Sequence, residues 1–479
     1  MIEVRKFPDL VCAGRRLIWD SRQMPDGRPE RVFIPDYFPA ERVQALRARK
    51  NAEFIEGVEA RRALGEQSAE ALGHPSVRLC VLAVTGTNGK TSCAQMMARL
   101  CSASGFAVAE IGTLGVSVRR AGELEPSFHL ETGFTTPDAP MLQDLFLQFL
   151  QAGITHVVME ASSHSMDMGR VAGTDFDGAL FTNLTQDHLD YHGTLANYEA
   201  AKTRLFTEYL PRANSSKKKI AVINAGDSAG KRILSSLPLR VQASAFIAGQ
   251  TFRLAENTFA RQRIEFLDSG EILESHLIGM YNAENLVGSY FLVGEVLAAT
   301  SGFFGGDVVW NAALADYRGP VGRMERVPNA KDERHVFVDY AHTPDALEKA
   351  LKVLAHMKDE KSRLWVVFGC GGDRDRTKRP LMGLTAAKIA DEVVLTSDNP
   401  RTEGPDAILD EIASGIPEAL KSKVFREPNR RLALEFALRK MKVGDVCLVA
   451  GKGHEEYQII GTQKSTFSDM AECRRIFNV

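Results

Sequence analysis

Short continuous apolar runs alternate along this chain with longer stretches in which apolar residues recur at helical spacing. Val81–Val84 reads as a buried strand, and Cys93, Met96, Met97, Leu100 and Cys101 follow on one helical face. Ala107–Ile111 predicts a second strand, and Pro140–Leu150 a helix with proline in its first turn and Gly153 beyond its end. Thr155–Met159, Gly178–Phe181 and Ala221–Ile223 read as further buried strands, running out into Glu160, Thr182-Asn183 and Asn224. Strands alternating with helices predict a parallel sheet covered on both faces, and such sheets bind ligands beyond the carboxyl ends of their strands. Glu160, Asn183 and Asn224 are therefore expected around one site. Residues 251–277 alternate as antiparallel strands do, and Ala283–Thr300 predicts a strongly apolar helix.

Arg318–Glu325 holds two glycines and a proline between periodic segments and reads as a hinge. Beyond it a second α/β set is expected, with strands at Val336–Val338, Leu364–Phe368, Glu392–Leu395 and Val446–Val449. The first 58 residues or so offer less. They hold Asp20-Ser21-Arg22, a turn at Met24–Gly27, one apolar patch at Val32–Ile34 and a charged stretch from Glu41 to Arg62. That is too little alternation to predict a complete α/β unit; residues 59–77 read as a charged helix and a proline-containing linker. The expected fold is α/β in three domains: a short N-terminal domain with its linker (1–76), a central domain with a mainly parallel sheet (77–317), and a C-terminal Rossmann-like domain (318–479). The length of 479 residues suits that division.

Composition narrows the function classes. Apolar residues at 44% and charged residues at 25% are ordinary for a globular protein. A net charge of −2 gives no electrostatic case for nucleic acid. No apolar run reaches the about 18 to 20 residues of a membrane span, and Met1–Phe7 lacks a signal-peptide pattern. The seven cysteines are odd in number, scattered and without a C-x-x-C pair, and read as reduced core residues of a cytoplasmic protein.

Chemistry concentrates first between the Val81 strand and the helix after it. Gly86, Thr87, Asn88, Gly89, Lys90, Thr91 and Ser92 place a glycine turn at a helix N-terminus, where backbone N–H groups can meet a phosphate chain. Lys90 would reach the outer phosphates, and Thr91 or Ser92 would offer a hydroxyl to Mg²⁺. Val84 stands where the strict phosphate-loop pattern has glycine, so the match is to a shortened variant; a plain strand–helix turn with an incidental lysine is the competing reading. Three other polar stretches stand out: Glu160–Ser165, Asn183–His192 with Tyr198–Lys202, and a C-terminal group at Asp339–Pro344, Gly369–Arg374, Asp398–Arg401 and Gly451–Glu455.

These stretches resemble the Mur ligase family, the ATP-dependent amide-bond ligases of peptidoglycan precursor synthesis. The likeness runs from about residue 77 to the C-terminus through TGTNGKTS (85–92), ASSH (161–164), FTNLTQDHLDYHG (181–193), YEAAK (198–202), GPVGRME (319–325), DYAHTPDAL (339–347), FGCGGDRD (368–375), DNPRTE (398–403) and AGKGHE (450–455). Folylpolyglutamate synthases share the phosphate loop and the three-domain plan, but the DNPR and GCGGDRD stretches look like the Mur side. The resemblance implies a reaction in which ATP phosphorylates a substrate carboxylate and an amine then displaces phosphate from the acyl phosphate.

It also implies roles. Gly86–Ser92 and Lys90 would hold the phosphates, with Asn183 beside them. Thr91, Glu160 and His188 would act on Mg²⁺, and Lys202 matches a lysine that carries a carbamate and helps hold a second metal. Asn282, Arg323 and Asp339 match positions that meet adenosine. On the acceptor side stand Thr135, Thr136, Ser162 and Arg170, the last suited to a two-toothed grip on a carboxylate. Arg374, Asp398, Asn399, Pro400, Arg401, Gly451 and Glu455 match positions that select the incoming amino acid. DNPR goes in this family with meso-diaminopimelate: Arg401 suits its second carboxylate and Glu455 its distal ammonium, although a plain Asx-Pro turn also accounts for that tetrapeptide. Read alone, Lys202 is a surface lysine on a helix. The implied substrate is a glutamyl acceptor, UDP-N-acetylmuramoyl-L-alanyl-D-glutamate by default, and the implied protein a cytoplasmic monomer.

The N-terminus departs from the family. Asp20-Ser21-Arg22 resembles its DSR turn, but no strand-rich core follows that would grip a nucleotide sugar. Met168 stands where glutamine is usual, and the apolar Phe134 precedes the two threonines. Two further readings stay open: a ligase for a nucleotide-free acceptor, and a nucleotide-binding module without turnover.

Overall fold

The computed structural model describes residues 2–6, 8–212, 215–302, 307–328 and 333–477; Met1 and Phe7, at the ends of the heptapeptide read for a signal, lie outside them. The N-terminal part is built from β1 (Val11–Cys12), β2 (Arg15–Ile18), β3 (Glu30–Ile34), helix α1 (Ala40–Arg47), β4 (Ala52–Glu56) and helix α2 (Gly57–Ala71). Its strands form one sheet in the order β1-β2-β3-β4, parallel from β2 to β4. This corrects the expectation that the segment has no strand-rich core. Alternate residues feed two faces. Leu17, Trp19 and Phe33 pack with Ala60 and Leu64 of α2, while Ile18, Val32 and Ile34 pack with Leu46 of α1. Each strand contributes so few apolar residues, between charged ones, that the alternation does not register in the sequence.

The central part comprises β5 (Cys80–Thr85), α3 (Lys90–Ala103), β6 (Val108–Gly112), β7 (Gly115–Arg119), β8 (Phe128–Leu130), α4 (Ala139–Gln151), β9 (His156–Glu160), α5 (Ser163–Asp167), β10 (Gly178–Phe181), α6 (Leu189–His192), α7 (Leu195–Arg204), β11 (Lys219–Asn224), α8 (Ser228–Ser236) and β12 (Val241–Phe246). Its eight-stranded sheet has the order β12-β11-β10-β5-β9-β6-β7-β8 and is parallel from β12 to β6; β7 and β8 extend it antiparallel. A separate antiparallel sheet, β13 (Phe252–Asn257), β14 (Gln262–Phe266) and β15 (Ile272–Ser275), precedes α9 (Met280–Ser301) and α10 (Asp307–Ala315). α9 is apolar because it packs Leu286, Val287, Leu292 and Val293 into the core between α3 and the sheet.

The C-terminal part holds β16 (Glu325–Arg326), β17 (His335–Asp339), α11 (Pro344–Met357), β18 (Leu364–Phe368), α12 (Lys378–Ile389), β19 (Glu392–Leu395), α13 (Pro405–Ser414), β20 (Val424–Arg426), α14 (Arg430–Lys440), β21 (Val446–Ala450), a hairpin of β22 (Tyr457–Ile460) and β23 (Gln463–Thr466), and α15 (Asp469–Phe477). The sheet order is β16-β17-β21-β18-β19-β20, parallel from β17 onward. Under its carboxyl edge lies an ion pair, Arg430–Asp469, with both side chains 0% exposed and 2.7 Å apart. Arg430 also donates to the carbonyls of Ser397 (3.3 Å) and Ala450 (2.9 Å), tying the ends of β19 and β21 together.

Asp469→Ala would leave that guanidinium buried without its partner, a change that typically costs about 3–5 kcal/mol. The expected result is a loss of that size in urea unfolding, followed through Trp365 in a chain carrying Phe at Trp19 and Trp310. An unchanged midpoint would mean that the pair does not hold the sheet edge.

Candidate active site

The turn from β5 to α3 is stitched to the end of β10. Thr87 N donates to Asn183 O (2.8 Å), Asn88 N to Asn183 Oδ1 (3.0 Å), and Thr182 Oγ1 to Asn88 O (2.7 Å). Gly89 sits at φ +89°, a left-handed conformation that favours glycine, and a Cβ there would also push the Asn285 side chain aside. Lys90 folds back on the turn, its Nζ donating to Gly86 O (2.9 Å) and Thr87 O (2.8 Å). Lys202, from α7, donates to the same Gly86 O at 2.7 Å. It is 1% exposed, which excludes a surface lysine. Burial pushes both ammonium groups down, that of Lys202 well below the usual lysine range with Lys90 adding to the effect.

Beside the turn, Glu160 at the end of β9 is 1% exposed. Its Oε1 accepts from Thr91 Oγ1 (2.9 Å) and Thr113 N (2.9 Å), and its Oε2 from Thr113 Oγ1 (3.2 Å). Thr113 was not singled out by the sequence; its position just past β6, next to β9, is the signal that marks it. Thr135 Oγ1 lies 3.1 Å from Thr113 Oγ1, and Thr136 turns inward to donate to Glu160 O (2.9 Å). Asn224 is not part of this group: its Oδ1 accepts from Gly226 N in the turn after β11.

A cavity of about 340 Å³ runs from the turn past Glu160, Thr135, Ser162, Lys202 and His188 to Asn282, Arg323 and Asp339. Asp339 Oδ2 accepts from Met324 N (2.6 Å), its Oδ1 from Ala341 N (2.8 Å), and burial raises its pKa. The Arg323 guanidinium stands 4.6 Å from the Tyr340 ring centre. Arg170 lies to one side, donating to Thr136 O (3.1 Å) and Met168 Sδ (3.3 Å), with Asp138 3.3 Å away. His188 takes a left-handed backbone at φ +51° ahead of α6. Its ring meets His164 of the ASSH stretch, 4.9 Å away, and His164 also stacks near Tyr191 (4.2 Å). Burial lowers His164 to about 4.

A second cavity, about 780 Å³, lies beyond the carboxyl ends of β18, β19 and β21, lined by Arg374, Asp398, Asn399, Arg401, Gly451 and Glu455. Arg401 has φ +51°, unusual for a residue with a side chain, and is held there by its N–H on Ile459 O (3.1 Å) and its Nη1 on Gly372 O (2.7 Å). Pro400 does not line the cavity; its carbonyl packs so closely on Gly372 that a Cβ there would overlap it. Buried Arg379, missed by the sequence, ties Glu403 (2.8 Å), Glu411 (2.7 Å) and Gly371 O (3.0 Å) together behind these loops. The two cavities share Asp187, His188, Tyr340, His342 and Thr343. Across the same boundary, Asp345 Oδ2 accepts from Asn88 Nδ2 (3.1 Å) and Thr185 Oγ1 (3.0 Å).

The arrangement offers amides and a lysine for a polyphosphate, oxygen donors at Thr91, Thr113 and Glu160 for a hard cation, and facing guanidinium and carboxylate groups for a zwitterion. Among the described residues no three His, Cys, Asp or Glu side chains converge as a metal site by themselves. His188 and Lys202 share the cavity wall with Glu160.

Profiles of two protein families match the chain: the Mur ligase middle domain over residues 84–293, and the Mur ligase, glutamate ligase domain over residues 322–453. The UDP-N-acetylmuramoyl-L-alanyl-D-glutamate--2,6-diaminopimelate ligase of Ralstonia nicotianae is 41% identical, over 96% of this chain and 88% of its own length. That of Gloeobacter violaceus is 39% identical over 99% of this chain and 95% of its own length, so the likeness includes the N-terminal sheet. A solved structure of a ligase of the same name is 33% identical, with a TM-score of 0.65 over 96% of this chain and 94% of its own. A Mycobacterium tuberculosis folylpolyglutamate synthase complexed with ADP shares the fold, at 21% identity and a TM-score of 0.61, over 80% of this chain and 90% of its own.

Gly89→Ala is expected to weaken binding of a fluorescent ATP analogue by about tenfold or more, close to 1.4 kcal/mol, by displacing the turn from Asn285. Unchanged affinity in a titration would mean that the turn does not carry the phosphates.

Proposed function

The chain belongs to the Mur ligase family, and on that premise we propose that it joins meso-diaminopimelate to the glutamyl carboxylate of UDP-N-acetylmuramoyl-L-alanyl-D-glutamate, converting ATP to ADP and phosphate. The observation that carries this reading is the shared wall of the two cavities at Asp187 and His188, across which a carboxylate activated beside the phosphate loop faces an amine held by the β18, β19 and β21 loops. A carboxylate oxygen of the acceptor attacks the γ-phosphorus and ADP leaves. The amine nitrogen then attacks the acyl carbon, the carbon–oxygen bond to phosphate breaks, and the nitrogen gives up its proton.

The protein's part is positioning and charge. Lys90 and the Gly86–Ser92 amides meet the phosphates, with Asn183 bracing the turn. Asn282, Arg323 and Asp339 meet adenosine, and Thr135, Thr136, Ser162 and Arg170 the acceptor. Arg374 and Arg401 take the distal carboxylate of the amino acid, and Asp398 and Glu455 its ammonium. Thr91, Glu160 and His188 would hold Mg²⁺, which when bound offsets the charge of the phosphates. Burial favours the neutral amine of Lys202, the form that adds carbon dioxide, so its surroundings suit a carbamate. The C-terminal loops closing on the central cavity keep water from the acyl phosphate.

The nucleotide-free acceptor loses its main support, since the N-terminal sheet is complete and relatives align through it. The DSR turn is also built: Asp20 is buried and accepts from Arg22 N (2.9 Å), Nε (2.8 Å) and Nη2 (2.7 Å). The reading places the protein in the cytoplasm as a monomer with small-molecule substrates, away from nucleic acid. No helix among the described residues is long and apolar enough to cross a membrane.

With ATP, Mg²⁺ and meso-diaminopimelate, phosphate release is expected to be at least about tenfold faster with the UDP-linked dipeptide than with L-alanyl-γ-D-glutamate; equal rates would return the choice to the bare peptide. Lys202→Ala is expected to lower kcat by about a thousandfold, with added Mg²⁺ giving no recovery. Near-normal turnover in that variant would remove the carbamate.

A further inference from the structure

Lys452 follows β21 in the turn that carries Gly451 and Glu455, and its side chain is 0% exposed. It stands behind the amino-acid cavity rather than in its lining. Its Nζ lies 3.3 Å from Glu455 Oε2, 3.4 Å from Asp398 Oδ1 and 3.1 Å from Asn399 Oδ1. The same Asn399 Oδ1 accepts from Ile459 N (3.0 Å), and Asn399 Nδ2 donates to Glu455 Oε2 (2.8 Å). The carbonyl of Asp398 is held in turn by Gln458 Nε2 (2.8 Å).

This network assigns the oxygens. Asn399 spends its carbonyl on two donors and one amide hydrogen on Glu455, so its main work is to hold neighbours in place. Glu455 Oε2 takes Lys452 and Asn399, which leaves Oε1, 3.5 Å from the Tyr457 hydroxyl, for the cavity. Asp398 likewise turns Oδ1 to Lys452 and keeps Oδ2 free of it. The charges also sum usefully. Two carboxylates against one buried ammonium leave a net single negative charge, matched to one ammonium of a ligand, while Arg374 and Arg401 supply the opposite sign for a carboxylate. Without Lys452, two carboxylates would share the loop ends and repel.

We propose that Lys452 is a positioning residue that sets amino-acid specificity: an internal counter-ion that fixes Glu455, Asp398 and Asn399 in the array that takes the distal ammonium of a diamino diacid. The inference rests on the proposed reaction and deepens it. Its signature is selective, because Lys452 touches neither the phosphate loop nor the acceptor side.

Lys452→Met is expected to raise KM for meso-diaminopimelate roughly 30-fold or more, the usual result of removing one partner of a buried charge pair. KM for ATP and for the UDP-linked acceptor should stay within about threefold, and preference over 2-aminopimelate, which lacks the distal ammonium, should fall. Lys452→Arg, which keeps the charge, is expected to recover most of the loss. Glu455→Gln should raise the same KM, and the Lys452→Met/Glu455→Gln double variant should be less impaired than the product of the two single effects. Binding of meso-diaminopimelate by calorimetry accompanies the kinetics, with circular dichroism on every variant; should Lys452→Met not fold, Lys452→Arg and Glu455→Gln carry the comparison. Unchanged KM in Lys452→Met, losses in all three KM values, or multiplicative effects in the double variant would overturn the assignment of Lys452 alone. Wild-type binding of meso-diaminopimelate that Lys452→Met weakens, without turnover of the UDP-linked acceptor, would overturn the acceptor and leave Lys452 in place. A wild-type chain that neither binds nor uses the amino acid would overturn both.

Discussion

The carbonyl oxygen of Gly86 accepts from two lysines, and the nucleotide side of the site depends on that shared contact. Lys90 and Lys202 come from different helices, Lys202 is buried and Lys90 half-buried, and each meets the carbonyl within hydrogen-bonding distance. Two amines shielded from water and converging on one neutral acceptor are costly as cations, because a backbone dipole only partly replaces water. Glu160 lies near enough to favour the charge on Lys90, yet its oxygens are already engaged by Thr91 and Thr113. The turn is thus electrostatically incomplete in the direction of negative charge. A polyphosphate supplies that charge, and so would an anionic carbamate on Lys202.

Around that contact, the architecture brings the carboxyl edges of two parallel sheets face to face. Asp345, in the first turn of α11, accepts from Asn88 of the phosphate loop and from Thr185 after β10, so the C-terminal part reads the loop directly. Gly322, on the stretch read as a hinge, lies so close to Gly453 and His454 that a Cβ would overlap their backbone. The loop proposed to bind phosphates and the loops proposed to hold the amine are therefore held in register by short-range contacts rather than by a flexible tether. Such closeness is what a ligase needs if a reactive acyl phosphate is to meet its amine before water does.

Most of the core-forming strands were legible because each is a continuous apolar run closed by a polar residue, a pattern that survives without any tertiary information. Gly178–Phe181, Leu364–Phe368 and Glu392–Leu395 have the bounds that periodicity alone suggests. The N-terminal sheet was not legible, because β2 reads Arg-Arg-Leu-Ile and β4 Ala-Glu-Phe-Ile-Glu, with charges that pair across the surface, as in Arg31–Glu53 at 3.0 Å. Within the site, residues carried by motif strings were found, whereas Thr113 and Arg379 were not singled out. They matter through what they touch, and their carboxylate partners lie 24 to 47 residues away. Asn224 reaches the site only at one remove: its Oδ1 closes its own turn, and its side chain meets Glu284 of the cavity wall.

Lys202 and Lys452 show how little residue type and burial say by themselves. Both are almost wholly enclosed, and both stand at the carboxyl edge of a sheet. Lys452 is met by two carboxylates and an amide carbonyl, so its charge is answered inside the protein and its effect is to orient the groups that answer it. Lys202 is met by one carbonyl and the face of Tyr198, 4.5 Å away, with a second amine nearby and Asp187 only partly offsetting its burial, so the neutral, nucleophilic form is favoured. An enclosed lysine with carboxylate partners is part of the scaffold of a site. An enclosed lysine without them at hydrogen-bonding distance is poised to be modified or to meet an anion, and the two halves of the proposed site hold one of each.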